Sequence, residues 1–219
     1  MKRHLRLTLV VGILFVLASA FSSAQDAKKV KEDKKDPKTP NFYPLQVGNK
    51  WTFRVEVGGN TAVAVSTIAK NETIDGTPMA RLEAAINGKV IATEHLTQTD
   101  KGVFRHRNNG QEINPPICLL KYPVKAGAKW EGDIAVGTEK GKYFCETAEE
   151  AVEVTAGKFK ATRVSIKLES EENGVKKTVT TAYWFVKDIG FVKQTVEAGN
   201  LSILMELEKF EPAKEKKKS

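Results

Sequence analysis

The sequence contains few of the side chains that catalyse reactions or bind metals. It has three histidines and two cysteines in 219 residues, and only His95 and His106 lie outside the N-terminal leader. Neither has a cluster of Asp, Glu or Cys at metal-ligand spacing. No phosphate-binding, dinucleotide-binding, zinc-protease or serine-hydrolase motif occurs. We therefore expect a non-enzymatic protein with no catalytic residues, metal or cofactor.

The sequence also lacks an apolar run long enough to cross a bilayer, which takes about 20 residues. Its longest run, Leu7 to Leu17, follows three basic residues and precedes the small-residue sites Ala18-Ser19-Ala20 and Ser22-Ser23-Ala24. This is the layout of a secretory signal peptide. We expect cleavage after Ala24, with no transmembrane anchor afterwards; a membrane anchor is the alternative. The pattern predicts an exported protein, periplasmic or extracellular.

An excess of basic charge is absent from the body of the chain. Of the formal net charge of +8, the leader carries +3, residues 25–40 carry +2 and residues 211–219 carry +2. Residues 41–210 therefore carry a net charge of +1. Since the basic excess lies in the leader and the two ends, solvated tails explain the high isoelectric point, and we predict no specific nucleic-acid binding.

The only cysteines, Cys118 and Cys145, both lie in the predicted exported part. In an oxidising compartment a pair of cysteines is expected to form a disulfide. They have no CxxC spacing and no neighbouring histidine, so a metal site or a nucleophile is the weaker alternative. The sequence therefore predicts a Cys118–Cys145 bridge.

Short alternating runs separated by glycine and asparagine fill the remaining chain. Trp51 to Val57 alternates throughout, Asn87-Gly88 is a strong hairpin signal, and Glu149 to Phe210 reads as four or five long strands. Phe159 and Val164 have opposite parity, which predicts a β-bulge between them. No stretch from residue 41 to 210 has a convincing helical period except Thr147 to Ala151, which would form a single turn at most. The predicted class is all-β, with the strands in an antiparallel meander.

An internal repeat divides the body in two. Tyr43-Pro44-Leu45-Gln46-Val47-Gly48-Asn49-Lys50-Trp51 matches the stretch from Tyr122 to Trp130, with Tyr, Pro, Gly, Lys and Trp at identical offsets of 79 residues. We predict two duplicated β-units of about 80 residues each. Trp51 and Trp130 would be structural plugs at the sheet ends, with a stacking site as the alternative. The predicted organisation is a signal peptide (1–24), a charged disordered linker (25–41), a first unit (42–120), a second unit (121–210) and a basic tail (211–219).

Three segments carry a resemblance to a known group of proteins. They are Phe42 to Trp51, Val154 to Phe159, and Tyr183-Trp184-Phe185 running into Ile189 to Lys193. Together they resemble the uncharacterised exported bacterial proteins called TapB-like, over residues 42–210. The resemblance implies a strongly curved sheet, as a half-barrel or a sandwich, similar to the half-barrels of periplasmic lipoprotein carriers, whose concave face could hold an acyl chain. It implies no catalytic residues.

Two functional hypotheses follow. The first is a non-enzymatic binding or structural module of the cell envelope, whose partner is a protein or another envelope component. The alternative is a carrier of a lipid or other hydrophobic ligand inside a concave sheet. An enzyme is third, and would require His95 or His106 beside two carboxylates in a cleft. The candidate apolar ligand face of the carrier comprises Trp51, Trp130, Tyr183, Trp184 and Phe185.

Overall fold

The computed structural model describes residues 41–172 and 175–214, which form twelve β-strands and no helix. None of the described residues forms a helix that could span a membrane. The predicted signal peptide, nearly all of the predicted linker and the end of the basic tail lie outside this range. The strands are β1 (Lys50–Val57), β2 (Asn60–Ile74), β3 (Thr77–Ile86), β4 (Lys89–Thr99), β5 (Gly102–Asn108), β6 (Gln111–Lys121), β7 (Lys129–Val136), β8 (Glu139–Val154), β9 (Gly157–Glu172), β10 (Val175–Val186), β11 (Gly190–Ala198) and β12 (Leu201–Glu211).

The strands form one closed antiparallel barrel, in which each strand pairs with the next and β1 pairs with β12. The all-β class and the meander topology are confirmed. Closure, however, replaces the predicted half-barrel or sandwich, because residues 50–57 of β1 pair with residues 203–211 of β12. Closure gives every strand a neighbouring strand on both sides. Both predicted units contribute six strands to this single sheet.

Turn residues explain where the strands reverse. Asn87 and Gly88 both have positive φ angles, 50° and 75°, at the β3–β4 hairpin, as the sequence predicts for this dipeptide. Gly102 begins β5 at φ 146°, and a Cβ atom there would lie 2.2 Å from the carbonyl oxygen of Leu120. Only glycine allows β5 and β6 to approach this closely.

An aromatic cluster forms the centre of the hydrophobic core. Phe53 stacks on Phe191 with ring centroids 4.8 Å apart, and Tyr43 packs edge-on against Trp51 at 5.7 Å. The indole Nε1 of Trp51, 1% exposed, donates a hydrogen bond to the carbonyl of Ile189 at 2.6 Å. Trp51 is therefore a buried structural residue, in agreement with its predicted role.

The β8–β9 hairpin buries different faces in its two halves. Its register is regular from the Gly141–Ser170 pair to the Val154–Gly157 pair, so the predicted bulge is absent. Odd-numbered residues 143–147 are buried in the first half of β8, but residues 152 and 154 are buried in the second. The half of the hairpin next to its turn extends past the end of β10, because β9 pairs with β10 only up to Thr162. At the turn, the amide of Ala156 donates a hydrogen bond to the carbonyl of Leu207 at 2.9 Å. The hairpin therefore turns a different face inward in each half without an inserted residue, and this explains why Phe159 and Val164 have opposite parity in the sequence.

The weakest pairing in the barrel lies between β6 and β7. Only residues 113–114 pair with residues 135–136, whereas β8 and β9 pair over fourteen positions. The next residues of β6, Pro115-Pro116, have no N–H groups with which to continue a ladder. We call this region the β6–β7 seam: residues 115–121 of β6 facing residues 129–134 of β7.

Side chains hold the β6–β7 seam together where the ladder stops. The indole of Trp130 donates to the carbonyl of Cys118 at 3.1 Å, and the phenol oxygen of Tyr143 accepts a hydrogen bond from the amide of Cys118. Tyr143 reaches this amide across Gly132, its partner on β7; a Cβ there would lie 2.7 Å from the ring. Two aromatic side chains thus replace the missing backbone bonds.

The two loops that begin with Tyr-Pro share their hydrogen bonds as well as their sequence. Gly48 donates to the carbonyl of Ile68 at 2.9 Å, and Gly127 donates to that of Thr147 at 2.8 Å. Both donors and both acceptors are 79 residues apart, the offset of the sequence repeat. The local motif is therefore repeated in structure, while duplication of whole units stays a prediction.

Candidate functional site

The structure separates the five residues of the predicted apolar ligand face. Trp51, Tyr183 and Phe185 are buried in the core, at 3% exposure or less. Trp184 points to the opposite side of β10 from its two neighbours, and Trp130 lies in the β6–β7 seam. These side chains therefore form no single concave surface.

Trp184 belongs to a polar cluster on the outer face of the barrel. Its indole Nε1 donates to a carboxylate oxygen of Glu150 at 2.9 Å, and that carboxylate also accepts from Arg163 at 3.1 Å. The Arg163 guanidinium lies 5.5 Å from the Trp184 ring centroid, and the Lys193 ammonium lies 5.7 Å from it. The side chains of neighbouring strands therefore already contact the Trp184 ring and its Nε1 group. We assign Trp184 a role in cross-strand packing.

A small pocket lies inside the barrel, with a volume of about 60 Å³ and a lining of both apolar and polar side chains. It exists because three neighbouring inward positions carry small side chains: Ser66 of β2 pairs with Ala84 of β3, which pairs with Ala92 of β4. Other lining residues include Glu94, Arg105, Asn108, Gln194 and Met205. We call this space the interior pocket. It is far below the several hundred Å³ typical of pockets for drug-sized ligands.

Arg105 is the buried cation of the interior pocket. Its Nη2 group lies 2.9 Å from a carboxylate oxygen of Glu94 and donates to the Tyr183 hydroxyl at 3.1 Å. Burial acts to lower the pKa of Arg105, but Glu94 and Tyr183 outweigh it, so the pKa is raised and the guanidinium stays charged. For Tyr183, by contrast, burial raises the pKa and keeps the phenol neutral. A charged pair surrounded by neutral polar groups results.

Sequence reasoning missed this ion pair, although a signal was present. Val103 and Arg105 have the same parity in β5, and Val103 is fully buried. Alternation therefore placed Arg105 inward, where a charge requires a partner. The identity of that partner depended on the β4–β5 register, which places Glu94 opposite Asn108 beyond a bulge.

Cys118 and Cys145 are buried free thiols, so the structure does not contain the predicted disulfide. Cys118 lies on β6 and Cys145 on β8, with β7 between them. Two strand spacings amount to about 9 to 10 Å, whereas bridged cysteines have Cα atoms within about 7 Å. Burial raises the pKa of Cys118 to about 11 and also raises that of Cys145, which makes both poor nucleophiles.

The two histidines lie on neighbouring strands but do not form a catalytic cluster. His95 is 5% exposed, and its Nε2 atom lies 2.8 Å from a carboxylate oxygen of Glu72. His106 pairs with the hydroxyl of Thr97 at 2.9 Å. Neither histidine lines the interior pocket. Across the described residues, no group of three or more His, Cys, Asp or Glu side chains is placed to bind a metal.

Two wide concave regions lie on the outer face of β7–β10. One, of about 540 Å³, is lined by Trp130, Phe144, Ser165 and Thr180 together with charged side chains; the other, of about 500 Å³, is lined mostly by lysines and acids of the same four strands. Phe144 is 37% exposed at the first. We call these two regions together the outer groove. Its charged lining residues are Lys129, Glu131, Asp133, Lys140, Lys142, Glu146, Lys167, Glu169, Glu171, Lys176 and Lys177.

Comparison with known proteins finds the fold but no family. No family model matches the chain, and no curated protein is significantly similar. A candidate lipoprotein from Parabacteroides distasonis is 14% identical, with a TM-score of 0.50 over 79% of this chain and 99% of that one. A candidate exported protein from Bacteroides fragilis, described as having a YmcC-like fold, is 16% identical, with a TM-score of 0.50 over 79% of this chain and 100% of that one.

The hypothetical lipoprotein YmcC from Escherichia coli is 12% identical and covers 75% of this chain and 85% of its own length, but its TM-score of 0.39 is too low to support an argument. At these identities, the first two likenesses show the fold alone. The predicted resemblance to TapB-like proteins has no counterpart among these structures and stays a prediction. The chain shares its all-β architecture with two bacterial proteins that are themselves described as a lipoprotein or exported-protein candidate.

Proposed function

We propose that the protein is a non-enzymatic binding module of the cell envelope and that the outer groove is its contact surface for another protein. The observation that carries this proposal is the contrast between the two sides of the sheet. The outer groove offers about 500 Å³ in each of its two regions, whereas the interior pocket offers about 60 Å³. These dimensions favour a partner that docks on the outer face of the sheet.

The chemistry of the outer groove suits a protein partner. Basic and acidic side chains alternate across it, as in the Lys129–Glu146 pair at 3.4 Å and the Lys142–Asp133 pair at 3.9 Å. Such exposed pairs contribute little stability, so they can exchange partners at low cost. Phe144 adds an exposed aromatic ring, a residue type enriched at protein interfaces.

The carrier hypothesis has less support. A pocket for an acyl chain needs several hundred Å³ of apolar space, and the interior pocket is far smaller and has the Glu94–Arg105 ion pair in its lining. The aromatic side chains that a carrier would use, Tyr183 and Phe185, are packed in the core at 3% exposure or less. An envelope location is supported by the signal-peptide layout and by the exported-protein candidate that shares the fold.

Site-specific photo-crosslinking in the native host tests the proposal. A photoreactive residue replaces Phe144 in the outer groove, and a matched control replaces Val63, which is 50% exposed on β2. We expect Phe144 to yield a discrete crosslinked protein in the envelope fraction, and Val63 to yield none. When the protein with the photoreactive residue at position 144 also carries Lys142→Glu and Lys167→Glu, the yield of the same crosslinked product should fall.

Two results would contradict this function. If positions 63 and 144 give the same products, or if neither gives any, the outer groove is not a contact surface. If lipid extraction of the purified mature protein instead releases one acyl species per chain, the carrier hypothesis replaces it.

A further inference from the structure

The closed meander gathers particular segments of the chain at one end of the barrel. Because neighbouring strands are antiparallel, the connections between them alternate between the two ends. Asn41 and Lys214, where the described chain begins and ends, therefore lie at the same end as the turns after β2, β4, β6, β8 and β10. Hydrogen bonds join these segments: the amide of Asp188 donates to the carbonyl of Asn41 at 2.6 Å, and that of Phe42 to the Tyr122 hydroxyl at 3.4 Å.

Charge is distributed unequally between the two ends of the barrel. We counted each turn or terminal segment with one adjoining strand residue on each side. The end that holds Asn41 and Lys214 has seven lysines and four acids, a net charge of +3, and we call it the basic end. The opposite end has Lys89 against Glu139 and Glu172, a net charge of −1. The seven lysines are Lys50, Lys101, Lys121, Lys125, Lys129, Lys187 and Lys214, and the four acids are Asp75, Asp100, Asp188 and Glu211.

Most lysines of the basic end have no acidic partner. All seven are exposed, and all except Lys129 form no ion pair with another residue of the described chain. Two of the four acids, by contrast, are paired: Asp75 lies 3.4 Å from Arg107, and Glu211 lies 3.2 Å from Lys209. Six unpaired lysines therefore remain against two unpaired acids.

Two further features of the basic end point to a membrane surface. Val47, in the loop before β1, is 43% exposed there, and an apolar side chain among lysines is typical of proteins that bind the bilayer interface. The chain also continues from this end into residues 25–40 and residues 215–219, each of which carries a net charge of +2. The sequence alone predicted solvated tails, but the fold places their points of attachment beside the unpaired lysines of the body.

We propose that the basic end binds the surface of a bilayer that contains anionic phospholipids, with its lysines facing the headgroup phosphates. Such a surface attracts clustered lysines within a Debye length, about 8 Å at physiological ionic strength. A bilayer suits this end better than a single acidic ligand, because the six unpaired lysines come from five separate segments and form no pocket. The outer groove lies on the side of the barrel, so this inference does not depend on the proposed protein contact.

Co-sedimentation of the mature protein with lipid vesicles tests the proposal. The probes are vesicles of phosphatidylcholine alone and vesicles of phosphatidylcholine with phosphatidylglycerol. We expect binding only to the vesicles with phosphatidylglycerol, and weaker binding when the salt concentration rises from about 0.1 M to about 0.5 M, because salt screens the attraction.

Two triple variants locate the binding surface. One removes three unpaired lysines from the basic end: Lys101→Gln, Lys121→Gln and Lys125→Gln. The control removes the same charge from the opposite end: Lys89→Gln, Lys140→Gln and Lys176→Gln. We expect the first variant to bind anionic vesicles at least about tenfold more weakly than wild type, and the control to bind as wild type does. Since all six side chains are exposed, both variants should melt at the wild-type temperature.

Three results would overturn the proposal. The first is no binding to the vesicles with phosphatidylglycerol. The second is an equal loss of binding in the two triple variants, which would reduce the effect to total charge. The third is tighter binding to soluble polyglutamate than to the anionic vesicles at the same salt concentration, which would make an acidic polypeptide the partner of the basic end.

Discussion

Gly132 illustrates how a single residue is fixed by the packing around it. Its Cβ position lies 2.7 Å from the ring of Tyr143, closer than any real side chain approaches. We expect Gly132→Ala to destabilise the fold by about 1 to 3 kcal/mol, because the ring must move from the Cys118 amide. Urea unfolding measures the loss. In a Tyr143→Leu background the same change should cost less, and equal costs in both backgrounds would show that the ring is not the cause.

The two thiols allow a direct check of their state. Both are buried, and burial raises their pKa values, so native Cys118 and Cys145 should react with a thiol reagent far more slowly than exposed cysteines. After unfolding in denaturant without reductant, we expect two reactive thiols per chain. If no thiol reacts after unfolding, Cys118 and Cys145 form the disulfide that the sequence predicts, and their free state in the structure is wrong.

His106 makes stability depend on pH. Burial, with the nearby charge of His95, lowers its pKa below the usual 6.5, so the folded protein favours the neutral ring. Below pH 6.5 the unfolded chain then binds more protons than the folded one, and the free energy of unfolding falls with the pH. We expect this decline in urea unfolding measured from about pH 7.5 to about pH 5, and a flatter curve for His106→Gln.

A second variant separates the contributions. The pKa of Glu72 is lowered below 4.5, because bonds to Lys70 and His95 outweigh its burial, so its stabilisation is lost only as the pH falls below that value. Glu72→Gln should therefore lower the free energy of unfolding by a nearly constant amount above pH 4.5, and so leave unchanged the slope between about pH 7.5 and about pH 5 that His106 sets. A pH profile of His106→Gln that matches wild type would exclude the histidine as the titrating group.

At the scale of elements, the two repeated tryptophans have unequal roles. Trp51 is 1% exposed inside the aromatic cluster, whereas Trp130 is half-buried in the β6–β7 seam. We expect Trp51→Ala to lower the free energy of unfolding by about 3 to 5 kcal/mol, and Trp130→Phe, which keeps a ring but loses the bond to Cys118, by about 1 kcal/mol. Thermal and urea unfolding measure both. If both variants lose equally little free energy of unfolding, the Trp51 side chain is exposed and not part of the core.

At the scale of the whole molecule, the barrel should open first at the β6–β7 seam. This interface has two backbone pairs, while the β8–β9 interface has fourteen. We expect amide hydrogens in peptides covering residues 129–134 to exchange about tenfold faster, or more, than those covering residues 143–154. Hydrogen exchange with mass spectrometry measures the difference. Equal protection would mean that the Trp130 and Tyr143 bonds close the seam as firmly as a full ladder.

Closure of the barrel is the feature of the whole molecule that the sequence analysis did not predict. A curved antiparallel sheet is what the sequence predicts, and this architecture is confirmed. The sequence gives no sign that the curvature is complete, because closure depends on β1 meeting β12, some 150 residues later in the chain. Closure reverses the expected use of the sheet: the inward face becomes core, and the available surface lies outside.

The sequence by itself determined the features that arise from local chemistry. Alternation and turn residues gave the strands, Asn87-Gly88 gave a hairpin, and the Tyr-Pro to Trp motif gave two loops with the same hydrogen bonds. These depend on side-chain period and backbone φ preferences, which act within a few residues.

Only the tertiary structure decided what depends on contacts distant along the chain. The Arg105–Tyr183 bond spans 78 residues, and the small residues that form the interior pocket come from three strands. The cysteines remain apart because β7 lies between them, and the predicted apolar face is divided because neighbours such as Tyr183 and Trp184 point to opposite sides of one strand. Register and closure set these relations, and no local pattern encodes them.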